Sequence, residues 1–421
     1  MQDIDFKNAV KTSIVEFHAR GIPPIVERTI SIPEFKSVNK VIVIIGPRRT
    51  GKTFLLYQIM KKMIEKGKTI QDFLYLNFEN ERVSGAQSGQ LQGILDAYAE
   101  LYPERTPIIF FDEIQNITGW DTFIRRLNDE NHSIYITGSN SRLLSKEIAT
   151  ALRGRDFPIQ LLPFSFEEFL RVRKIERTKN WEYGKTKLPI KKAFEEYEGL
   201  SGYPEIVLEN KLEFIDDYFK TVLFRDAVER NKIKNSELLR LLMKYITRQY
   251  AQEYTINKFN HFAQSNAYKS STSVIQRYSK ILEDIYFCFF LNAKQKSFKK
   301  ESGYIKKAYL CDHGFINYYN DQKDKGRVLE NIIFVELMRR NPKEINYYRG
   351  VHEYDFVTPT ECIQACHILT PENEKREVQG LNEAMERFKR KKGIIITHDQ
   401  EKKLPDGTLV IPIWKWLLQK E

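Results

Sequence analysis

Apolar positions along this chain follow two periods, and the alternation between them predicts its architecture. Near the N-terminus Ala9, Val10, Ile14, Val15 and Phe17 fall close to one helical face, and Gly21-Ile-Pro-Pro ends the run. The modest amphipathicity suits a helix docked on a core better than one lying on a membrane. Val41 to Ile45 is an unbroken β-branched run, the pattern of a strand buried on both faces of a parallel sheet. Residues 54–64, FLLYQIMKKMI, return to helical character. Phe73–Asn80, Ile108–Gln115 and Ser133–Asn140 read as further strands, separated by helical segments such as WDTFIRRLND. Strand alternating with helix predicts a parallel α/β sheet, with any site at the C-terminal ends of its strands.

Beyond this sheet the pattern changes. Helical segments around Phe194–Glu229 read as a lid or bridge. From Ser236 to about Phe315 the order is helix, helix, helix, hairpin, a winged-helix pattern. SELLRLLMKYI forms the first helix, Thr255 caps the second, and Ser270 or Ser271 caps the third. In the third, Val274, Tyr278, Ile281 and Ile285 share one face, while Ser273, Gln276, Arg277 and Lys280 share the other. Apolar stretches flank a basic tip containing Lys294, Lys296, Lys299 and Lys300, as in a β-wing. A polar, cationic helix beside such a wing suits duplex DNA, with Gln276, Arg277, Lys280, Lys299 and Lys300 as contacts. The alternative is a spacer or protein-binding module.

Composition narrows the classes. A chain of 421 residues suggests about three domains. At 42% hydrophobic and 13% aromatic it has ample material for packed cores. The formal charge of +11 and a pI near 9.1 point to an anionic partner, nucleic acid first. Cys288, Cys311, Cys362 and Cys366 form no C-x-x-C pair, which suits a reducing interior. The start is too polar for a signal peptide, and the apolar run IYFCFFLNA is too short to span a bilayer, so a cytoplasmic protein without membrane contact is expected. Residues 171–192 are rich in Lys and Arg and read as a solvated linker, or else as a nucleic-acid contact. His367 and His398 are isolated, and no Cys/His spacing suggests zinc.

The chemistry concentrates at strand ends. Gly46-Pro47-Arg48-Arg49-Thr50-Gly51-Lys52-Thr53 is a G-x-x-x-x-G-K-[ST] phosphate loop set between a strand and the helix that Phe54 helps to begin. Its glycines let backbone N–H groups curl around phosphates, Lys52 reaches the terminal phosphates, and Thr53 ligates Mg²⁺. Asp112 closes an apolar strand, where a carboxylate supports the Mg²⁺ shell, and Glu113 is placed to polarise the attacking water. Ser139 and Asn140 end the fourth strand, where they either contact the γ-phosphate or water, or form a polar turn. Arg153 and Arg155 flank Gly154 and are candidates for stabilising transition-state charge, from this chain or a neighbour. The cofactors implied are ATP and Mg²⁺.

The series GPRRTGKT, YLNFEN, IIFFDEIQ, YITGSNSRLL, LRGR and LPFSFEEFL resembles the prokaryotic archaeal-type AAA ATPases. SGYPEIV, FRDAVER, KKAYLCDHGF, VLENIIFVEL and YYRGVHEYDF extend the likeness over nearly the whole chain. The resemblance implies ATP hydrolysis by the first domain, followed by a winged helix and a small restriction-endonuclease-like α/β domain of the PD-(D/E)XK type. Boundaries consistent with it are 1–30 for a helical lead, 31–163 for the ATPase domain, 164–230 for a lid or bridge, 231–318 for the winged helix and 319–421 for the last domain. Glu330, Asp355 and Gln364 align in order with that fold's metal-binding positions. Gln364 stands where the second acid belongs and Cys366 where the lysine belongs, and the nearby Arg376-Glu377 belongs to the family's variant pattern but does not restore the lysine, so cleavage is not expected. The expected function is a DNA-associated AAA-type ATPase. A nucleotide-controlled protein-interaction switch and an ATP-gated nuclease are the alternatives, and the partners considered are duplex DNA, a protein, or a second copy of the chain.

Overall fold

The computed structural model describes residues 3–33, 40–139, 152–293, 306–340, 344–349 and 353–419, in two compact units divided after Leu161. Asn140 and the basic tip with Lys294, Lys296, Lys299 and Lys300 lie outside the described residues.

The first unit runs α1 (Asp3–Arg20), β1 (Val41–Ile45), α2 (Lys52–Glu65), β2 (Phe73–Asn77), α3 (Gln92–Leu101), β3 (Ile108–Asp112), α4 (Trp120–Asp129), β4 (Ile134–Gly138) and β5 (Asp156–Gln160). Its five strands are all parallel, in the order β2-β3-β4-β1-β5. The period-2 rule explains the uninterrupted apolar run of β1. Val41, Val43 and Ile45 pack on one face with α1, α3 and α4, while Ile42 and Ile44 pack on the other with Leu55, Leu56, Ile59 and Met60 of α2. Each such side chain contributes about 1.5–3 kcal/mol by leaving water. The buried stripe of α1 is Phe6, Val10, Ile14 and Phe17, whereas Val15 is exposed, so the docking face begins a turn earlier than the sequence pattern indicates. The strands also stop earlier, at Asn77, Asp112 and Gly138.

The second unit opens with α5 (Phe166–Val172), whose first turn is closed reciprocally: Glu168 N–H donates to Ser165 Oγ at 3.2 Å and Ser165 N–H to Glu168 Oε2 at 2.9 Å. The basic stretch 171–192 stays largely solvent-exposed, anchored at a few points. Arg173 pairs with Glu196, and Arg177 reaches Glu167 at 2.9 Å and the Leu418 carbonyl at 2.7 Å. Then come α6 (Lys187–Gly199), α7 (Pro204–Glu209) and α8 (Phe214–Thr221), which continues as a π-helix over Val222–Glu229.

Next are α9 (Ser236–Arg248), β6 (Gln252–Tyr254), α10 (Ile256–Ser265), α11 (Thr272–Asp284), β7 (Cys288–Asn292) and β8 (Lys306–Leu310), with an antiparallel sheet ordered β6-β8-β7. Thr255 caps α10 and Ser271 caps α11. After α12 (Gly314–Tyr319) and α13 (Lys325–Arg340), β9 (Asn346–Arg349), β10 (Glu353–Val357), β11 (Glu361–Ala365), α14 (Pro371–Phe388), β12 (Lys392–Thr397), β13 (Lys402–Lys403), β14 (Leu409–Pro412) and α15 (Ile413–Trp416) complete the chain, with a mixed sheet ordered β13-β14-β12-β11-β10-β9. SGYPEIV and KKAYLCDHGF hold each other: Asp312 accepts from Ser201 Oγ at 2.7 Å, Gly202 N–H at 2.8 Å and Gly314 N–H at 2.7 Å. All four cysteines are buried and free.

Candidate functional site

The sheet order places β4 between β1, which feeds the phosphate loop, and β3, which ends in Asp112. The C-terminal ends of these neighbouring strands therefore converge on one spot. The loop's backbone leaves no latitude at its first residue. Gly46 has φ 156°, and a Cβ there would lie 2.0 Å from the Leu161 carbonyl oxygen, because Leu161 N–H donates to Ile45 O at 2.7 Å as the chain leaves β5. Arg49 and Gly51 adopt left-handed conformations, with φ of 62° and 86°, which turn the loop into the start of α2. Thr50 Oγ1 donates to Pro47 O at 2.9 Å and stiffens the turn. Arg28, buried in the segment before β1, donates to Thr50 O at 2.7 Å, while Gln58 of α2 grips the Arg28 backbone through bonds of 2.7 and 3.1 Å.

Lys52 is 5% exposed and donates to Gly46 O at 3.3 Å and Pro47 O at 3.0 Å. Its ammonium lies 3.5 Å from Glu113 Oε1. Thr53 Oγ1 donates to Asp112 Oδ2 at 2.6 Å. Phe54 is half-exposed beside Tyr57, with ring centroids 5.8 Å apart. Asp112 is almost wholly buried and also accepts from Tyr75 Oη at 3.3 Å and from Thr137 Oγ1. Burial, then the charge of Glu113, pushes its carboxyl above the usual carboxylate range, against the hydrogen bonds from Thr137 and Thr53 and the charge of Lys52.

Glu113 sits in a left-handed conformation (φ 53°, ψ 45°), a strained geometry for a side chain with a Cβ. Its N–H is held by Thr137 Oγ1 at 2.9 Å. Burial works to raise its pKa, but the Lys52 ammonium, a hydrogen bond from Gln115, the charge of Arg48 and a hydrogen bond with Ser139 together hold it below the ordinary value. The neighbouring carboxylates thus differ: Glu113 is kept ionised by a cation, and Asp112 is buried with its oxygens turned to hydroxyls.

The remaining candidates fall elsewhere. Arg155 precedes β5, at the N-terminal edge of the sheet; its backbone carbonyl accepts from Val41 N–H at 2.9 Å and its guanidinium pairs with Asp129 at 2.8 Å. Arg153 has φ 50° in the same turn. Strands of five residues at ~3.3 Å each separate both arginines from the phosphate loop of their own chain. Gln276, Arg277 and Lys280 are exposed along α11, whose Ile275, Tyr278, Ile281 and Leu282 are buried. Arg277 donates to Asn231 O at 3.1 Å, and Lys280 pairs with Glu283 at 3.0 Å and Asp284 at 3.1 Å.

Glu330 on α13 and Asp355 on β10 do come together, around a third group. The buried ammonium of Lys307 on β8 lies 2.8 Å from Glu330 Oε1 and 3.1 Å from Asp355 Oδ1. Tyr309 Oη donates to Glu330 at 2.6 Å, and Ala365 N–H to Asp355 Oδ2 at 2.9 Å. Burial, then Asp355, pushes the Glu330 carboxyl up to about 7 despite Lys307. Gln364 donates to Glu377 Oε2 at 3.0 Å instead of joining them. Burial drives the Cys366 thiol up to about 11, so it is protonated at neutral pH.

Tyr75, Thr137, Arg28, Gln115 and Lys307 complete these two constellations, and sequence reasoning assigns none of them a role. Tyr75, Gln115, Thr137 and Lys307 lie inside the stretches that carry the family resemblance, which is the one signal that could have found them.

Comparisons with known proteins agree with the phosphate-loop unit. Residues 38–170 match the family model described as an AAA domain, and residues 191–326 match a domain of unknown function (DUF8612). The uncharacterized protein MJ1544 of Methanocaldococcus jannaschii is 36% identical over 90% of this chain and 88% of its own length. An uncharacterized protein of Haemophilus influenzae is 30% identical over 92% of this chain and 96% of its own length. Among solved structures, Cdc6p from Pyrobaculum aerophilum is similar at 16% identity over 62% of this chain and 83% of its own, with a TM-score of only 0.24. A Drosophila ORC complex bound to AT-rich DNA and Cdc6 contains a chain similar at 10% identity over 73% of this chain and 91% of its own, with a TM-score of 0.20. No helix among the described residues is long and apolar enough to cross a membrane. The chain belongs, with its Methanocaldococcus and Haemophilus relatives, to the archaeal-type AAA ATPase family.

Proposed function

We propose that this protein is a Mg²⁺-dependent, DNA-associated ATPase of the cytoplasm. The observation that carries the catalytic part is the hydrogen bond of Thr53 to Asp112 beside the Lys52–Glu113 pair. Thr53 and Asp112 offer a hydroxyl and a carboxylate, hard oxygen donors that fit Mg²⁺, and the buried Asp112 charge is one that a cation would relieve. When bound, Mg²⁺ neutralises phosphate charge. The chain's own groups do the rest. The loop's backbone N–H groups and Lys52 bind the phosphates, and Glu113, kept ionised, orients the attacking water and accepts its proton. Ser139, hydrogen-bonded to Glu113, fixes that carboxylate's direction.

For DNA, the supporting observation is α11, which buries one face and leaves Gln276, Arg277 and Lys280 exposed on the other, within a helix–strand–helix–helix–strand–strand order typical of winged helices. The net charge of +11 agrees. The engagement of Arg277 with Asn231 and of Lys280 with two acids favours the second reading, in which this module docks a protein. In the last domain we read α13, β9–β11, α14 and β12 as a PD-(D/E)XK-like core that does not cut. Lys307 lies between its two carboxylates, where a divalent cation would have to bind. Arg153 and Arg155 could serve only the phosphate site of a neighbouring copy.

The test measures duplex binding against salt and ATP turnover with and without duplex. The DNA reading expects stimulated turnover and a log–log slope of about −0.9 per phosphate contacted. Salt-independent turnover that duplex does not change would favour the protein-docking reading.

A further inference from the structure

Arg48, the third residue of the phosphate loop, sends its guanidinium to Glu79, with Nη1 2.8 Å from Oε1. Arg48 follows β1 and Glu79 follows β2, and the sheet order puts β4 and β3 between those two strands. With neighbouring strands about 4.8 Å apart, the pair bridges the C-terminal ends of β4 and β3, the ends that carry Ser139, Asp112 and Glu113. The Arg48 side chain is only 13% exposed. Glu79 is itself fixed: its N–H donates to Asn77 Oδ1 at 2.8 Å, and Asn77 lies in register with Asp112.

We propose, building on the ATPase reading above, that Arg48 is a catalytic residue of hydrolysis, supplied by the chain's own phosphate loop, and that Glu79 is its positioning residue. A planar guanidinium offers two parallel N–H donors to phosphate oxygens, and a carboxylate behind it limits its wandering. In the transfer step the water oxygen bonds to Pγ as the bond from Pγ to the bridging oxygen breaks. The bridging electron pair leaves with ADP, and the water's proton passes to Glu113. Arg48 exchanges no proton; it stabilises the negative charge spread over the γ-phosphoryl oxygens. A chain with this residue carries the cation that other phosphate-loop enzymes take from elsewhere, and Arg153 and Arg155 become unnecessary for it.

The experiment compares wild type, Arg48→Ala, Arg48→Lys, Glu79→Ala and Lys52→Ala in single-turnover hydrolysis and ADP binding, with guanidinium ion added to the Arg48→Ala protein. A denaturant-unfolding transition like that of wild type establishes that a variant is folded, Lys52→Ala included, whose ADP binding should weaken. Arg48→Ala should lower the hydrolysis rate by about 10³-fold, the low end for loss of a catalytic arginine. Arg48→Lys should recover part of that, and millimolar guanidinium should raise the Arg48→Ala rate several-fold. Glu79→Ala should lower the rate constant about tenfold with KM little changed, as expected when a positioned group loosens. A folded Arg48→Ala protein turning over at the wild-type rate, with Lys52→Ala inactive, overturns the proposal and leaves the ATPase reading standing. A wild type without turnover overturns both.

Discussion

Thr53 Oγ1 and Asp112 Oδ2 lie 2.6 Å apart, joining the first turn of α2 to the end of β3. This bond closes the phosphate loop onto the acidic strand and supports an Asp112 charge that burial opposes. Asp112→Asn should therefore cost little stability, because the neutral amide keeps the shape without the buried charge. Hydrolysis should nevertheless fall by at least ~10²-fold, since Mg²⁺ loses its carboxylate support. Thermal unfolding and ATP turnover on the same protein check both outcomes. A melting temperature lowered by 10 °C or more would contradict the electrostatic part.

Gly46→Ala should fail structurally as well as functionally. The new methyl would meet backbone rather than a movable side chain, 2.0 Å from Leu161 O, at a φ that L-residues avoid. We expect a loss of several kcal/mol and no measurable nucleotide binding, read by denaturant unfolding and ADP titration.

Lys307→Met would leave Glu330 and Asp355 facing one another in a buried site without their cation. Breaking such a triad by removing one partner typically costs ~3–5 kcal/mol. Unfolding of the second unit, followed by tryptophan fluorescence, should shift accordingly.

Glu330 gives the same site a pH signature. Its folded pKa of about 7 lies above the ordinary 4.5, so between those values the folded protein holds a proton that the unfolded chain has released. Stability from this group is complete below about pH 4.5 and is lost as pH rises through 7, at no more than ~1.4 kcal/mol per pH unit. Glu330→Gln should flatten that part of the profile. Identical slopes for the two proteins between about pH 5 and pH 7 would contradict the assignment.

Arg277→Ala with Lys280→Ala should weaken duplex binding and reduce the salt slope by about 0.9 for each side chain that touches phosphate. Filter binding at several salt concentrations measures it. Unchanged affinity would favour protein docking through α11.

The sequence made some of this legible and hid the rest for physical reasons. The phosphate loop is eight contiguous residues whose chemistry fixes their spacing, and Asp112-Glu113 ends an apolar run that gains its meaning from the phosphate loop upstream. β5 passes unnoticed because DFPIQ is an edge strand, with Phe157 exposed and a proline inside. The α1 stripe is misplaced because Val15 is apolar yet solvent-facing, and only packing distinguishes it from Phe6. Thr137 joins Asp112 across a gap of 25 positions, and Lys307 joins Asp355 across 48. Such partners belong to the topology, and local periodicity carries no trace of them. The same holds for Arg48 and Glu79, which meet across the ends of β3 and β4 although their own strands are not neighbours.

Glu113→Gln decides whether this site is the ATPase it is read to be. ATP binding and single-turnover hydrolysis, measured with Mg²⁺ on wild type and variant together, should show affinity retained within about threefold and hydrolysis slowed by roughly 10²–10⁴. A Glu113→Gln protein that hydrolyses ATP as fast as wild type would contradict the assignment of the Lys52–Glu113 pair as the centre of the reaction.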